Sequence, residues 1–108
     1  MFIGRVVGSL WATQKTENTR GIKFLIIQPL NLKKAPNTDT VVAADVLGAG
    51  EGELVMVAYG RAARLAVGNE NMSIEAAVTG IIDAYEVIPE HYHGDLDPEK
   101  ISYKKRLA

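Results

Sequence analysis

The segment 44–57 constrains the fold of this chain more than any other. Gly48, Gly50 and Gly52 alternate with other residues there, between two apolar runs that both have the composition of β-strands. Glycine at every second position lets the backbone pass close to another group, because no Cβ stands in the way. That group could be a phosphate, another loop of the same chain or a second copy of the protein, and each implies a different function.

A phosphate is the least favoured of the three. Glycine loops that bind phosphate lie between a strand and a helix, whose N-terminus meets the anion. Here residues 53–57 have the pattern of a second strand, Glu51 and Glu53 would repel an anion, and no glycine–lysine–serine or glycine–lysine–threonine sequence is present. We therefore expect no nucleotide cofactor at this loop.

The apolar pattern predicts an all-β fold, mainly β with one short helix. Five strands are predicted, over residues 2–10, 23–28, 41–46, 53–59 and 77–87. An alanine-rich helix is predicted over 60–67, ending at Gly68. Five short strands with one helix indicate a five-stranded OB-like barrel.

Details of the pattern sharpen this prediction. Gly4 and Gly8 indicate a bend or bulge in the first strand, and Gly80 indicates a break in the last. The uninterrupted apolar run at 23–28 predicts a strand that is buried on both faces. The polar stretches 13–20 and 31–40 are predicted to be loops.

The length of 108 residues suits one domain, which we divide at Pro89 into a barrel over 1–88 and a polar C-terminal extension over 89–108. Asp97 and Pro98 have the order of an N-cap and first helical residue, and basic residues follow at 104–106, so the extension is predicted to end in a helix. His91 and His93 could hold a metal with a nearby acid, but histidines in a polar tail are ordinarily solvated, and no metal is expected.

Composition excludes several classes of protein. There is no cysteine and no apolar run near the length of a membrane span, and the start lacks the apolar core of a signal peptide; these features are consistent with a cytoplasmic chain. Basic residues dominate 1–34 and acidic ones 35–100, a pattern that favours contact between basic and acidic segments over a nucleic-acid face.

The remaining candidate site residues do not indicate an enzyme. Asp45, Glu51, Glu53 and Asp83 have no identifiable nucleophile or base near them in sequence, so no catalytic residue is assigned. The aromatic residues could form a stacking face for single-stranded nucleic acid, although core packing is the favoured prediction for them: Phe2, Trp11, Phe24 and Tyr59. The alternative function is therefore an OB-like single-stranded nucleic-acid-binding module.

Three motifs, at residues 45–53, 60–64 and 80–83, resemble the pentameric vertex proteins of bacterial microcompartment shells, the carboxysome and ethanolamine-utilisation vertex family. Residues 4–8, 13–15 and 21–25 are similar to its carboxysome branch, and the resemblance covers about residues 1–87. It leaves open whether the compartment fixes carbon or processes aldehydes.

The resemblance implies a non-enzymatic homopentamer that caps the corners of a protein shell in the cytoplasm. Hexameric shell proteins would be its partners. The resemblance says little about the C-terminal tail, and the helix start and basic end of the tail suggest that it docks on a neighbouring subunit or on shell or cargo proteins. The loop expected near the central pore comprises Gly48, Ala49, Gly50, Glu51 and Gly52. Subunit-interface candidates are Asp45, Glu53, Arg61, Arg64 and Asp83. The family often has Gly-Ser-Ser-Ala-Arg at 60–64, so Arg61 departs from its pattern and Arg64 matches it.

Overall fold

A computed structural model describes residues 1–12, 19, 21–30, 39–68 and 70–88, and the backbone of 101–103. Within these residues lie seven strands and one helix: β1 (Phe2–Leu10), β2 (Lys23–Pro29), β3 (Val41–Asp45), β4 (Leu54–Tyr59), α1 (Gly60–Val67), β5 (Ala76–Ile81), β6 (Tyr85–Val87) and β7 (Ile101–Tyr103). The predicted loops at 13–18, 20 and 31–38 lie outside the described residues, as does the histidine pair.

The first five strands close into a barrel in the order β1-β2-β3-β5-β4. All neighbours are antiparallel except β3 and β5, which run parallel, with Ala44 paired to Ala77. The predicted five-stranded barrel with one short helix is confirmed. Closure leaves none of the five strands with an unpaired edge along the sheet.

Alternate side chains of the strands fill the barrel. Leu25 and Ile27 of β2 point into the core, whereas Phe24 and Ile26 are half-buried on the outside. The prediction that β2 is buried on both faces is therefore wrong, because its outward side chains are only partly covered; Phe24 packs at the edge of a second cluster on the outside of the barrel. The inner core comprises Val6, Leu25, Ile27, Ala43, Ala49, Val55, Val57, Ala76 and Val78.

Glycines shape β1 as predicted. The register between β1 and β2 shifts between Val6 and Gly8, which is the irregularity that Gly8 indicated. At Gly4 a Cβ would clash with the Ile27 side chain and stand 3.1 Å from the carbonyl oxygen of Gln28. The close approach of β1 to β2 at this point thus requires glycine at position 4.

The helix begins and ends where it was predicted. Gly68 adopts φ +117° and its N–H donates to the carbonyl oxygens of Arg64 and Leu65, which ends α1 with a glycine cap. Ala63 is fully buried in a second cluster, which also contains Ala44, Ala58, Ile74 and Ala77. The small residues let α1 lie close to the barrel wall, so Ala63 serves packing within the chain.

The C-terminal part differs from the prediction. Gly80 lies within β5, opposite Met56, and the strand ends at Ile81, followed by a separate strand β6. Gly80 is tolerated there because the Met56 side chain covers it, with its Cε 3.5 Å from where a Cβ would be. Residues 101–103 form a strand parallel to β6, so a helix through these residues is wrong; its predicted start at Asp97 lies outside the described residues. No helix among the described residues is long and apolar enough to cross a membrane.

Candidate functional site

The glycine loop, residues 46–53, joins β3 to β4 and closes one side of the barrel. Ala49 is the buried centre of the loop and belongs to the inner core. Its side chain therefore faces the barrel interior, whereas Val46, Leu47 and Glu51 face solvent. The loop is anchored at its middle and exposed on either side.

Asp45 holds the first half of the loop. Its buried carboxylate accepts backbone N–H groups from Leu47 (2.9 Å) and Gly48 (3.2 Å) through Oδ1, and from Ala49 (2.9 Å) through Oδ2. Aspartate at the end of a strand is well suited to this, because its short side chain reaches backbone two to four residues ahead. Both oxygens of this predicted interface residue are occupied within its own loop.

The second half of the loop is held by Glu53 and β1. Glu53 Oε1 accepts the N–H of Gly50 at 2.6 Å. The N–H of Gly52 donates to the carbonyl oxygen of Val6 at 2.8 Å, and Arg5 Nη1 donates to the carbonyl oxygen of Gly52 at 2.9 Å. Arg5 was not predicted as a site residue, and its position 47 residues from Gly52 in sequence explains why.

Two of the three glycines are required by backbone conformation. Gly48 has φ +86° and Gly52 has φ +83°, and no atom of the described residues lies within 4 Å of a Cβ at either position. Gly50 has the close approach that the pattern suggested, because a Cβ there would stand 2.9 Å from Glu53 Oε1. The alternation thus combines two left-handed turns with one close contact inside the chain.

These bonds leave the loop with little capacity to bind an anion. The N–H groups of Leu47, Gly48, Ala49, Gly50 and Gly52 all have acceptors within the chain. A phosphate cradle needs such donors to be free. The described residues also contain no cluster of three or more histidine, cysteine or acidic side chains that could hold a metal.

The two arginines of α1 have different surroundings. Arg64 donates through Nε to the carbonyl oxygen of Glu70 (3.0 Å) and through Nη1 to the carbonyl oxygen of Ile74 (3.3 Å) and the Glu75 carboxylate (3.0 Å). Arg61 pairs with the Glu70 carboxylate at 3.0 Å, with 72% of its side chain exposed. Arg64 therefore ties the helix to the segment before β5, and Arg61 stays on the surface.

Asp83 lies beside the beginning of β4. The N–H of the preceding residue, Ile82, donates to the carbonyl oxygen of Leu54 at 2.9 Å, and Asp83 itself is exposed. The fold thus brings Asp83 to the same region of the barrel as Glu53, which the sequence separation of these acids did not reveal.

The aromatic residues do not share one role. Trp11 is 93% exposed, so the prediction of core packing is wrong for it. Phe2 and Tyr59 contact each other, with ring centroids 5.3 Å apart, and Tyr59 is half exposed. Trp11 follows Leu10, the last residue of β1, which is still paired with Phe24 of β2.

A closed five-stranded barrel, whose glycine loop is anchored in the core by Ala49 and held by internal hydrogen bonds, defines a small all-β barrel protein. Residues 1–83 match the family model described as "Ethanolamine utilisation protein EutN/carboxysome". The chain belongs to this family.

Named relatives agree with this assignment. The chain is 40% identical over 88 residues to the bacterial microcompartment shell vertex protein GrpN of Rhodospirillum rubrum (strain F11), covering 82% of this chain and 99% of the relative. It is 44% identical over 87 residues to the carboxysome shell vertex protein CcmL of Synechocystis sp. (strain ATCC 27184 / PCC 6803 / Kazusa), covering 81% and 87%. The solved structure of the pentameric GrpN shell protein superposes with a TM-score of 0.72 at 39% identity, covering 82% of this chain and 100% of that one.

Proposed function

We propose that this protein is a structural subunit of the vertex of a bacterial microcompartment shell, with no catalytic role. The observation that carries the proposal is the match to GrpN, a pentameric microcompartment shell protein that the chain covers over its full length. The family match over residues 1–83 is consistent with a role in assembly.

Five copies form a ring with head-to-tail contacts in this proposal. Each copy offers one surface to the neighbour on one side and a different surface to the other, and the ring closes after five subunits. Such a ring supplies the curvature that a flat sheet of hexameric shell proteins lacks. The function of such a ring depends on its shape, so the rigidity of each subunit matters more than any reactive group.

The glycine loop is proposed to lie near the fivefold axis, with residues 48–52 around the pore. Its many internal hydrogen bonds support this placement, because a loop repeated five times at close quarters must have one shape. Glu51 is exposed and would form a ring of five carboxylates at or near the mouth. Ala49 contributes by anchoring the loop in the core.

The interface candidates divide into two groups under this proposal. Arg61 and Asp83 are exposed and can contact a neighbour directly. Asp45, Glu53 and Arg64 are engaged within the chain and act by fixing the backbone that a neighbour meets.

Different partners are proposed for the barrel and for the C-terminal extension. The barrel, residues 1–88, forms the ring and contacts hexameric shell proteins in the plane of the facets. The extension, residues 89–108, docks on a neighbouring shell protein or on cargo, a role consistent with its basic end and its position outside the family match at 1–83.

Native mass spectrometry of the full chain at micromolar concentration tests the ring, and we expect five copies per particle. Co-expression with hexameric shell protein tests the vertex role: closed particles are expected with this chain present, and unclosed sheets or tubes without it. A chain that is monomeric at all concentrations would contradict the proposal.

A further inference from the structure

The strand β7 is an addition to the barrel that the family shares. The family match ends at residue 83, just before β6, whereas β7 lies at residues 101–103. The GrpN structure is covered over 100% of its length by 82% of this chain, so this chain has a part without a counterpart there. These two matches place β7 outside the shared barrel.

The pairing of β7 involves β6 and not the barrel. The two strands are parallel, and their register pairs three residues of each: Tyr85 with Ile101, Glu86 with Ser102 and Val87 with Tyr103. Among the described residues, the backbones of β6 and β7 approach each other more than they approach any barrel strand. The same backbone hydrogen bonds can form whether the two strands belong to one chain or to two copies. The connection between the strands therefore decides which pairing is favoured.

The sequence of this connection, residues 88–100, does not favour pairing within one chain. Parallel strands need a crossover of a dozen or more residues, usually a helix that packs on the sheet. The connection barely reaches that length, and Gly94 and Pro98 disfavour a continuous helix across it. Pro89 also favours an extended backbone at Ile88, so the chain leaves β6 in the direction of the strand rather than turning back.

The connection is long enough to reach another copy. Fully extended, residues 88–100 span about 45 Å, whereas the two shorter dimensions of the whole molecule are 24 and 20 Å. In a ring the next copy is held close by, so its β6 is present at a high effective concentration.

We propose that β7 pairs with β6 of a neighbouring copy, so that each subunit donates one strand and accepts one. The inference rests on the ring proposed above and deepens it, because it names a second copy of this chain as the partner of residues 101–103. Exchange of an identical element between copies is a low-cost way to link them, since no new contact has to be created. The exchange adds to the contacts between barrels, and it leaves residues 104–108 available to another partner.

Cysteine cross-linking tests the exchange, because the chain has no cysteine of its own. Glu86 and Ser102 are opposite each other in the register, and neighbouring strands lie about 4.8 Å apart, within the Cα separation that a disulfide spans. One form of the full chain carries Glu86→Cys, a second form with a different tag carries Ser102→Cys, and the two are assembled together and oxidised. We expect a disulfide-linked dimer that contains both tags, because only exchange brings these two cysteines together.

A matched control and a double variant complete this test. Leu65→Cys replaces Glu86→Cys in the control, since Leu65 is 53% exposed on α1 and is not paired with β7; no mixed dimer is expected. With Glu86→Cys and Ser102→Cys in the same chain, we expect covalent species of several chains. A disulfide confined to one chain, or no disulfide at all, in particles of five copies by native mass spectrometry overturns the exchange and leaves the ring intact. A chain that never assembles removes both proposals.

The rate of subunit mixing supplies a second test. Two differently tagged populations of the full chain are mixed and followed by native mass spectrometry. An exchanged strand slows mixing, because it must be released before a subunit can leave the ring. Successive N–H groups of a strand point to opposite sides, so Ile101→Pro combined with Ser102→Pro removes a donor on either side of β7. We expect this variant to mix several-fold faster than the wild type.

The control for mixing is Leu107→Pro combined with Ala108→Pro, which lies beyond β7 and should mix at the wild-type rate. Far-UV circular dichroism confirms that each variant is folded. A β7 variant that mixes no faster than the wild type, or a control that accelerates mixing equally, overturns the exchange.

Discussion

Asp45 controls the conformation of the glycine loop more directly than any glycine in it. Three N–H groups converge on its buried carboxylate, and a charged acceptor makes each of these hydrogen bonds stronger than a neutral one. With Asp45 in place, Gly48 and Gly52 need only supply backbone conformations that other residues adopt at a cost.

Removing this carboxylate should destabilise the protein strongly. Asp45→Ala leaves three loop N–H groups without an acceptor, and we expect the free energy of unfolding to fall by roughly 2–4 kcal/mol. Asp45→Asn keeps one acceptor oxygen and should lose less. Urea denaturation at one fixed protein concentration measures both, with the exposed Glu86→Gln as a control that changes stability by less than about 0.5 kcal/mol. Equal stabilities of Asp45→Ala and the wild type would refute this role.

Sequence reasoning could find the loop but not its supports. The alternation of glycines marked residues 48–52 as unusual, since a repeated glycine pattern has few physical explanations. Whether a glycine serves a positive φ or a close contact depends on the three-dimensional path, and so does the hydrogen bond from Arg5 to Gly52. The prediction of core packing for Trp11 was wrong because hydrophobic composition alone does not distinguish a core residue from an exposed one.

At the scale of elements, α1 is held by two different means. Ala63 lies in an alanine-rich contact with the barrel, where burial per residue is small. Arg64 adds a polar latch, reaching two carbonyl oxygens and one carboxylate in the segment before β5. A planar guanidinium can serve several acceptors at once, which a lysine ammonium at the same place cannot match in geometry.

The latch can be tested with the neighbouring arginine as its control. Arg64→Ala should lower the free energy of unfolding by roughly 1–2 kcal/mol, because it leaves backbone acceptors of the 70–75 segment without a donor. Arg64→Lys should recover only part of this loss. Arg61→Ala should change stability by less than about 0.5 kcal/mol, since its ion pair is exposed. Hydrogen exchange of residues 70–76 should rise in the Arg64 variants alone; equal effects of the two alanine variants would contradict the latch.

Elements with strong local signals were predictable, and those that depend on long-range pairing were not. α1 had an alanine-rich run and a glycine cap, and the structure confirms both of its ends. The first four barrel strands agree with the prediction to within one residue at each end, whereas the fifth, predicted to run to residue 87, ends at Ile81. The separate strands β6 and β7 pair across residues 88–100, and nothing local at 101–103 indicates an extended partner.

At the scale of the whole molecule, the barrel and the β6–β7 pair differ in the contacts that stabilise them. The barrel strands share one core, whereas, within the part of the chain that the structure describes, the backbones of β6 and β7 approach each other more than they approach any barrel strand. A two-stranded sheet is marginal in water by itself, and parallel pairs are normally covered on both faces. The pair therefore fits an element that gains its stability from a partner, as proposed for the extension.

Deleting residues 89–108 separates these two parts. The barrel should keep its midpoint of thermal unfolding within a few degrees, and the pentamer should persist, because the deletion removes β7 and no barrel strand. Incorporation into co-expressed shells, or retention of cargo, should fall.

A full-length variant with Lys104, Lys105 and Arg106 changed to glutamine tells whether the charge of the extension is responsible. A similar loss assigns docking to its basic end, and normal incorporation assigns docking to the rest of the extension. Sedimentation of purified shells, followed by quantification of the vertex subunit, measures the difference. Shells that take up the truncated chain as efficiently as the full one, with unchanged cargo, would refute a docking role for the extension.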